Sequence, residues 1–214
     1  MSKKFNKKIP NYLTIARILF AIIFIIIMSV MQGVSIHGTA FFILYWINVV
    51  IFAVAMVTDF ADGYLARKYD AVSTFGKIFD PIADKIMTVS MMLFLILTQF
   101  SYIPLIVLII VRDIIVDGSR MFAVSRNINV AASWWGKIKT ILVSLALLCV
   151  SLSAPFLYNN ADTWSLNQLY INIPLMAGCL VSWISGTIYI SKYLKGIKQT
   201  NVLIETEQTN NDIE

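Results

Sequence analysis

Residues 58–85 read TDFADGYLARKYDAVSTFGKIFDPIADK and contain five aspartates, four of which form two pairs. Asp59 and Asp62 are three residues apart, and Asp80 and Asp84 are four apart. At either spacing two side chains share one face of a helix, so two neighbouring helices can direct four carboxylates at one point. Clustered carboxylates do not all stay ionised without cations, and Mg²⁺ or Mn²⁺ suits ligands that are all oxygen. The stretch therefore predicts a divalent-cation site built by two helices.

The composition around this stretch is that of a membrane protein. Of the 214 residues, 58% are hydrophobic and 14% are charged, and the mean hydropathy is +0.77, which excludes an ordinary soluble domain. Single aspartates often cap helices or lie in solvated loops. Four of them beside apolar runs of membrane length favour a functional site, because ionisable groups there are costly. Cys149 and Cys179 lie inside apolar runs and do not indicate a disulfide framework.

The apolar runs predict an all-α integral membrane protein with six transmembrane helices, preceded by a short basic juxtamembrane segment. The predicted spans are residues 12–31, 40–57, 77–100, 103–124, 133–158 and 171–193. Each is near the ~20 residues that cross a bilayer, where backbone groups must bond internally. A cleaved signal peptide is disfavoured, because the first run is long and lacks a clear cleavage site of small residues. We expect residues 1–198 to form one membrane domain and the polar residues 199–214 to form a disordered tail.

The distribution of Lys and Arg predicts the orientation. With six spans, both termini lie on one side, and the basic residues of the connecting segments all fall on that side. The opposite connections, at residues 32–39, near residue 101 and at residues 157–170, contain neither Lys nor Arg. The positive-inside rule therefore places both termini and the aspartate site in the cytoplasm, with the protein in the plasma membrane. No nucleic-acid partner is expected.

A second group of charges lies on the predicted fourth and fifth helices. Its cations are Arg112, Arg120, Lys137 and Lys139. We expect them at the membrane level of the aspartates, where a cluster of Arg and Lys suits an anion such as phosphate. The alternative is that each cation extends to the interface, which fits Lys192 and Lys195 better. For Asp113 and Asp117, pairing with neighbouring cations is favoured over a third metal site.

The motif D-x2-D-G-x2-A-R-x8-G-x3-D-x3-D is complete in this chain. Its positions are filled by Asp59, Asp62, Gly63, Ala66, Arg67, Gly76, Asp80 and Asp84. It resembles the signature of the CDP-alcohol phosphotransferase family. The resemblance implies two divalent ions, Mg²⁺ or Mn²⁺, held by the four aspartates, with Asp84 also acting as general base. It further implies a homodimer and a CDP-lipid site formed by Gly63, Ala66, Arg67 and Gly76.

Three shorter stretches resemble the branch of this family that forms phosphatidylglycerophosphate. They are IPNYLTIAR at residues 9–17, VRD around Arg112, and GKIKT at residues 136–140. The acid after Arg112 is Asp113, where that branch often has Glu. The resemblance implies CDP-diacylglycerol as donor and glycerol 3-phosphate as acceptor. The four cations of the second group would then bind the acceptor phosphate.

Several alternatives stay open at this point. Within the family they are a cardiolipin synthase and a phosphatidylinositol-phosphate synthase, whereas a serine acceptor would not need the cation cluster. Outside the family the alternatives are a divalent-cation channel or transporter and a scaffold that only binds. The glycines of the motif, with Ala66 and Arg67, have no evident role in a cation path. The intact set of aspartates argues against lost activity.

Overall fold

The computed structural model describes residues 9–33, 38–68, 74–125, 134–157 and 164–211. These residues form helices and no strand. The helices are α1 (Ile9–Met31), α2 (Thr39–Lys68), α3 (Thr74–Leu97), α4 (Ile103–Ser125), α5 (Trp134–Leu157) and α6 (Trp164–Asn211). The predicted all-α class is confirmed.

Four segments of these helices are long and apolar enough to cross a membrane. They are Tyr12–Met31, Thr39–Ala61, Ile138–Leu157 and Trp164–Ser191. Helices α3 and α4 are as long as α1, but each carries four charged residues. The fold is therefore that of a membrane protein, and the crossing of the bilayer by α3 and α4 stays a prediction.

The helix ends differ from those predicted by hydropathy. Helix α2 continues through the first aspartate pair to Lys68, whereas the apolar pattern predicted an end at residue 57. Hydropathy marks where a helix loses its apolar surface, but the backbone continues through residues with good helix propensity, such as Leu65 and Ala66. Helix α6 likewise begins before residue 171 and extends to Asn211, into the segment expected to lack structure. The domain boundary at residue 198 stays a prediction.

One compact unit comprises the described residues up to Ser101 together with Leu147–Ile171. In it α1 packs against both α2 and α3. Phe24 of α1 and Phe94 of α3 are fully buried and meet edge to face, with ring centroids 5.5 Å apart. Tyr45 of α2 packs on Phe94 with centroids 5.1 Å apart, and its hydroxyl donates to the carbonyl of Ser151 at 2.7 Å. This aromatic core fixes α1, α2 and α3 against one another.

The other compact unit comprises Tyr102–Ala146 and the described residues from Asn172 onward. It contains α4, the first part of α5 and most of α6. Val116 and Ala123 of α4 are buried with Tyr189 of α6. A Cβ at Gly178 would lie 3.5 Å from Val143, so α5 and α6 approach closely there. Small residues permit such close packing between membrane helices.

Candidate functional site

The two aspartate pairs lie on successive helices. Asp59 and Asp62 are in α2, and Asp80 and Asp84 are in α3. Asp59 and Asp80 lie near enough for their carboxylates to repel each other electrostatically. The structure thus brings together one member of each pair.

For the remaining motif positions the structure describes only the helix to which each residue belongs. Gly63, Ala66 and Arg67 belong to α2, and Gly76 belongs to α3. The surroundings of these four positions and the side chain of Asp62 lie outside the described residues, so their predicted roles stay predictions.

Helix α1 supplies a partner to each of the two neighbouring aspartates. Thr14 Oγ1 donates a hydrogen bond to Asp80 Oδ1 at 2.5 Å. Arg17 Nη1 lies 2.7 Å from Asp59 Oδ1. Thr14 and Arg17 are three residues apart, and so they occupy one face of α1. The site is therefore built by three helices rather than the two that the sequence predicted.

Burial makes these two contacts energetically important. Thr14 and Arg17 are 0% and 1% exposed. A buried guanidinium is strongly unfavourable unless an acid compensates its charge. Asp59, whose side chain is 38% exposed, provides that compensation and still faces an accessible space. The sequence analysis did not assign Thr14 or Arg17 to the aspartate site. A single arginine inside a long apolar run nevertheless indicates that its charge needs an acidic partner.

The donor chemistry of this site fits a hard divalent cation. Asp59, Asp80 and Asp84 are partly buried carboxylates, and oxygen ligands of this kind suit Mg²⁺ or Mn²⁺. Among the side chains that the structure describes, no group of three or more possible ligands converges tightly enough to hold an ion. Asp62, the fourth predicted ligand, is outside those side chains.

The second group of predicted site residues is organised by Asp113. Lys139 Nζ contacts both carboxylate oxygens of Asp113, at 2.6 and 2.7 Å. Arg112 Nη1 donates to Asp113 Oδ1 at 3.0 Å, and its Nε donates to the carbonyl of Ser182 at 2.7 Å. Asp113 thus pairs with neighbouring cations, as the sequence favoured. Arg112 and Lys139 are both buried, and with Asp113 they carry a net formal charge of +1.

Arg120 has a different partner. Its Nε donates to the hydroxyl of Tyr189 at 3.0 Å, and its guanidinium carbon lies 5.5 Å from the centre of that ring. The structure therefore links two of the four predicted anion-binding cations through Asp113 and directs Arg120 to Tyr189. The side chain of Lys137 lies outside the described residues.

Comparison with known proteins extends over most of the chain. A family model described as CDP-alcohol phosphatidyltransferase matches residues 7–184. A Mycoplasma pneumoniae protein named CDP-diacylglycerol–glycerol-3-phosphate 3-phosphatidyltransferase is 31% identical, over 92% of this chain and 92% of its own length. Proteins of the same name from Mycoplasma genitalium and Bacillus subtilis are 33% and 30% identical. These two alignments cover 92% and 90% of this chain, and 88% and 98% of the relatives.

Proposed function

The chain belongs to the CDP-alcohol phosphatidyltransferase family, and from that premise we propose its reaction. It transfers the phosphatidyl group from CDP-diacylglycerol to glycerol 3-phosphate, giving phosphatidylglycerophosphate and CMP. The observation that carries the proposal is the intact aspartate motif, in which the carboxylates of Asp59 and Asp80 lie near enough to repel each other electrostatically. The names of relatives that align over nearly the whole chain support the choice of acceptor. Family membership removes the support for a cation transporter.

Members of this family generally use divalent metal ions. Asp59, Asp62, Asp80 and Asp84 are the residues that would hold two such ions, Mg²⁺ or Mn²⁺. When bound, these ions would neutralise the charge of the diphosphate and of the departing CMP. Thr14 and Arg17 keep the carboxylates of Asp80 and Asp59 in place from α1.

The chain's own residues account for the remaining chemistry. The acceptor hydroxyl of glycerol 3-phosphate attacks the phosphorus that carries diacylglycerol, and the bond from that phosphorus to the CMP oxygen breaks. Asp84 takes the proton of the attacking hydroxyl as general base. Arg67 pairs with the diphosphate, while Gly63 and Gly76 leave room for close approach of the nucleotide. The rate enhancement comes from positioning and electrostatic stabilisation, as in other phosphoryl transfers.

The acceptor phosphate binds at the cations linked by Asp113. Arg112 offers a planar fork of N–H donors, the geometry that suits a phosphate, and Lys139 adds a second positive charge. Asp113 cancels only one of these two charges, so the cluster attracts a dianion. A phosphorylated inositol would suit the same chemistry, which makes it the main alternative acceptor.

The setting in the cell follows from the sequence. We place both termini and the aspartate site on the cytoplasmic side of the plasma membrane, supported by the absence of Lys and Arg from the opposite connections. A homodimer is proposed from the family resemblance.

Two experiments test the proposal. Purified protein is incubated with CDP-diacylglycerol and, separately, glycerol 3-phosphate, inositol phosphate, phosphatidylglycerol or serine, and the lipid product is identified. We expect glycerol 3-phosphate to be the only one of these acceptors that gives a lipid product, and we expect that product to be phosphatidylglycerophosphate. Another product would overturn the choice of acceptor.

The second experiment tests the acceptor site through Arg112→Ala. Hydrogen bonds to charged groups contribute roughly 1.5–3 kcal/mol, so losing one predicts about a 10- to 150-fold lower kcat/KM for glycerol 3-phosphate. The KM for CDP-diacylglycerol should change little. Lys195→Ala serves as the control, since that lysine is expected to extend to the interface. Wild-type kinetics for both variants would place the acceptor site elsewhere.

A further inference from the structure

Arg112 of α4 lies across one turn of α6, between Ser182 and Gly186. Its Nε donates to the carbonyl oxygen of Ser182 at 2.7 Å. A Cβ at Gly186 would lie 2.9 Å from that same Nε, 3.5 Å from Nη2 of Arg112 and 3.3 Å from Val116 Cγ2. All four residues belong to one compact unit. The position of Arg112 therefore depends on the absence of a side chain at residue 186.

The guanidinium is held at two points and bounded at a third. Nε is bonded to Ser182, Nη1 is bonded to Asp113 at 3.0 Å, and the backbone of Gly186 closes the side next to Nη2. Two hydrogen bonds from a planar group fix its plane as well as its position. These bonds use two of the five N–H donors of the side chain. A fixed plane lowers the entropy lost when an anion binds to the remaining donors.

A second observation at the same turn points to a ligand. Ser182 is 0% exposed, and its hydroxyl has no hydrogen-bond partner among the residues that the structure describes. A buried hydroxyl without a partner is unfavourable by about 1–3 kcal/mol, so such groups usually meet a ligand or water. Helix α6 thus presents an unsatisfied donor on the turn that seats Arg112.

We propose that Gly186 is a specificity-determining positioning residue, because the turn Ser182–Gly186 of α6 seats Arg112 in the orientation that binds the acceptor phosphate. The proposal rests on the assignment of Arg112 to the acceptor site. It adds that α6 sets the affinity for a phosphorylated acceptor, although neither Ser182 nor Gly186 carries a charge. The ligand class is a phosphate monoester carried by a small alcohol.

The test compares two identical substitutions on the same helix. Gly186→Ala places a methyl group 2.9 Å from Arg112 Nε, a distance that forces the end of the Arg112 side chain to move. Gly178→Ala places one 3.5 Å from Val143 Cγ2, an ordinary van der Waals contact. We expect Gly186→Ala to raise the KM for glycerol 3-phosphate at least about 10-fold, which corresponds to one lost charge-assisted hydrogen bond. The kcat at saturating acceptor and the KM for CDP-diacylglycerol should stay near wild type. For Gly178→Ala these two quantities, the KM for glycerol 3-phosphate and the melting temperature should all stay near wild type.

A double-mutant cycle separates positioning from general damage to the fold. In the Arg112→Ala background the clashing group is gone, so adding Gly186→Ala should change the KM for glycerol 3-phosphate no further. A KM that rises equally in both backgrounds overturns the proposal. If Gly186→Ala alone has a wild-type KM while Arg112→Ala has a raised KM, the turn Ser182–Gly186 does not position Arg112. The proposed function is then unaffected. A wild-type KM for Arg112→Ala itself overturns both.

Arg112→Lys keeps the test decisive even if Gly186→Ala does not fold. Lysine retains the charge but cannot donate to Ser182 and Asp113 from one planar group. The expected result is a raised KM for glycerol 3-phosphate, with an unchanged KM for CDP-diacylglycerol. A wild-type KM would show that a positive charge at residue 112 is enough to bind the acceptor phosphate. The positioning of Arg112 by the turn Ser182–Gly186 would then have no function.

Discussion

Replacing Thr14 by valine removes one hydrogen bond from the aspartate site and nearly preserves the volume of the side chain. Thr14 is fully buried in α1, and its hydroxyl donates to Asp80 Oδ1 at 2.5 Å. Asp80 belongs to α3, 66 residues further along the chain. The substitution therefore removes a tertiary contact that orients a predicted metal ligand.

The size of the effect follows from the charge on the acceptor. A hydrogen bond to a charged group contributes roughly 1.5–3 kcal/mol, which is about a 10- to 150-fold change in rate. Asp80 is only partly buried, so water can replace some of the lost interaction, and we expect the lower end, about 10-fold in kcat/KM. The freed carboxylate samples more rotamers, so the Mg²⁺ concentration for half-maximal activity should also rise.

The assay is CMP release from CDP-diacylglycerol and glycerol 3-phosphate, measured across a range of Mg²⁺ concentrations. The matched control is Thr98→Val, because the hydroxyl of Thr98 donates to the nearby carbonyl of Phe94 at 2.9 Å. If Thr14→Val keeps kcat/KM within about twofold of wild type, a loss well under 1 kcal/mol, then Asp80 does not depend on α1 for its position. The three-helix description of the site would then be wrong.

Three further predictions test the chemistry, the topology and the packing. Asp80→Asn should nearly abolish turnover while the protein still inserts in membranes, and full activity of the wild type in excess chelator would contradict a role for divalent ions. In intact cells Asn159→Cys should react with an impermeant thiol reagent and Ser73→Cys should not; the reverse pattern would invert the proposed topology. Ser144→Ala should leave the melting temperature unchanged or higher, because the buried hydroxyl of Ser144 has no partner among the described residues; a clear decrease would reveal one.

The membrane fold could be predicted because hydropathy reports the surroundings of a helix. Helices α1, α2, α5 and α6 each contain an apolar segment long enough to cross a bilayer, and the sequence located all four. Their ends were less predictable. Residues such as Asp59 and Arg67 interrupt the apolar surface of α2 without stopping its backbone hydrogen bonds, so the helix continues to Lys68. Hydropathy and helix propensity are separate properties, and hydropathy alone does not locate the end of a helix.

The pairing of α1 with the aspartates could be anticipated only in part. Arg17 is the one charge in a long apolar run, and burial requires that it meet an acid. The sequence offers four aspartates in one motif, and spacing alone does not decide among them. The choice of Asp59 depends on how α1 packs against α2 and α3, which follows from side-chain shapes such as that of Phe24 against Phe94. Thr14 lies in the stretch 9–17 that resembles the family branch, but its residue type does not predict a bond to Asp80, because a buried threonine often bonds its own helix.

Arg17 and Arg112, the arginines that are buried among the described residues, show why a sequence reveals one kind of partner and not another. Arg112 has an acid beside it at Asp113, and the sequence analysis favoured pairing of that acid with a neighbouring cation. An adjacent acid neutralises the charge but leaves the guanidinium plane to be set from another helix, here by the Ser182 carbonyl. The second restraint requires an empty space at Gly186, and a glycine within an apolar helix otherwise suggests only a weak point in that helix. Opposite charges that can pair are recognised from the residue types in a sequence. The role of a glycine such as Gly186 is recognised only when the structure shows which group occupies the space beside it.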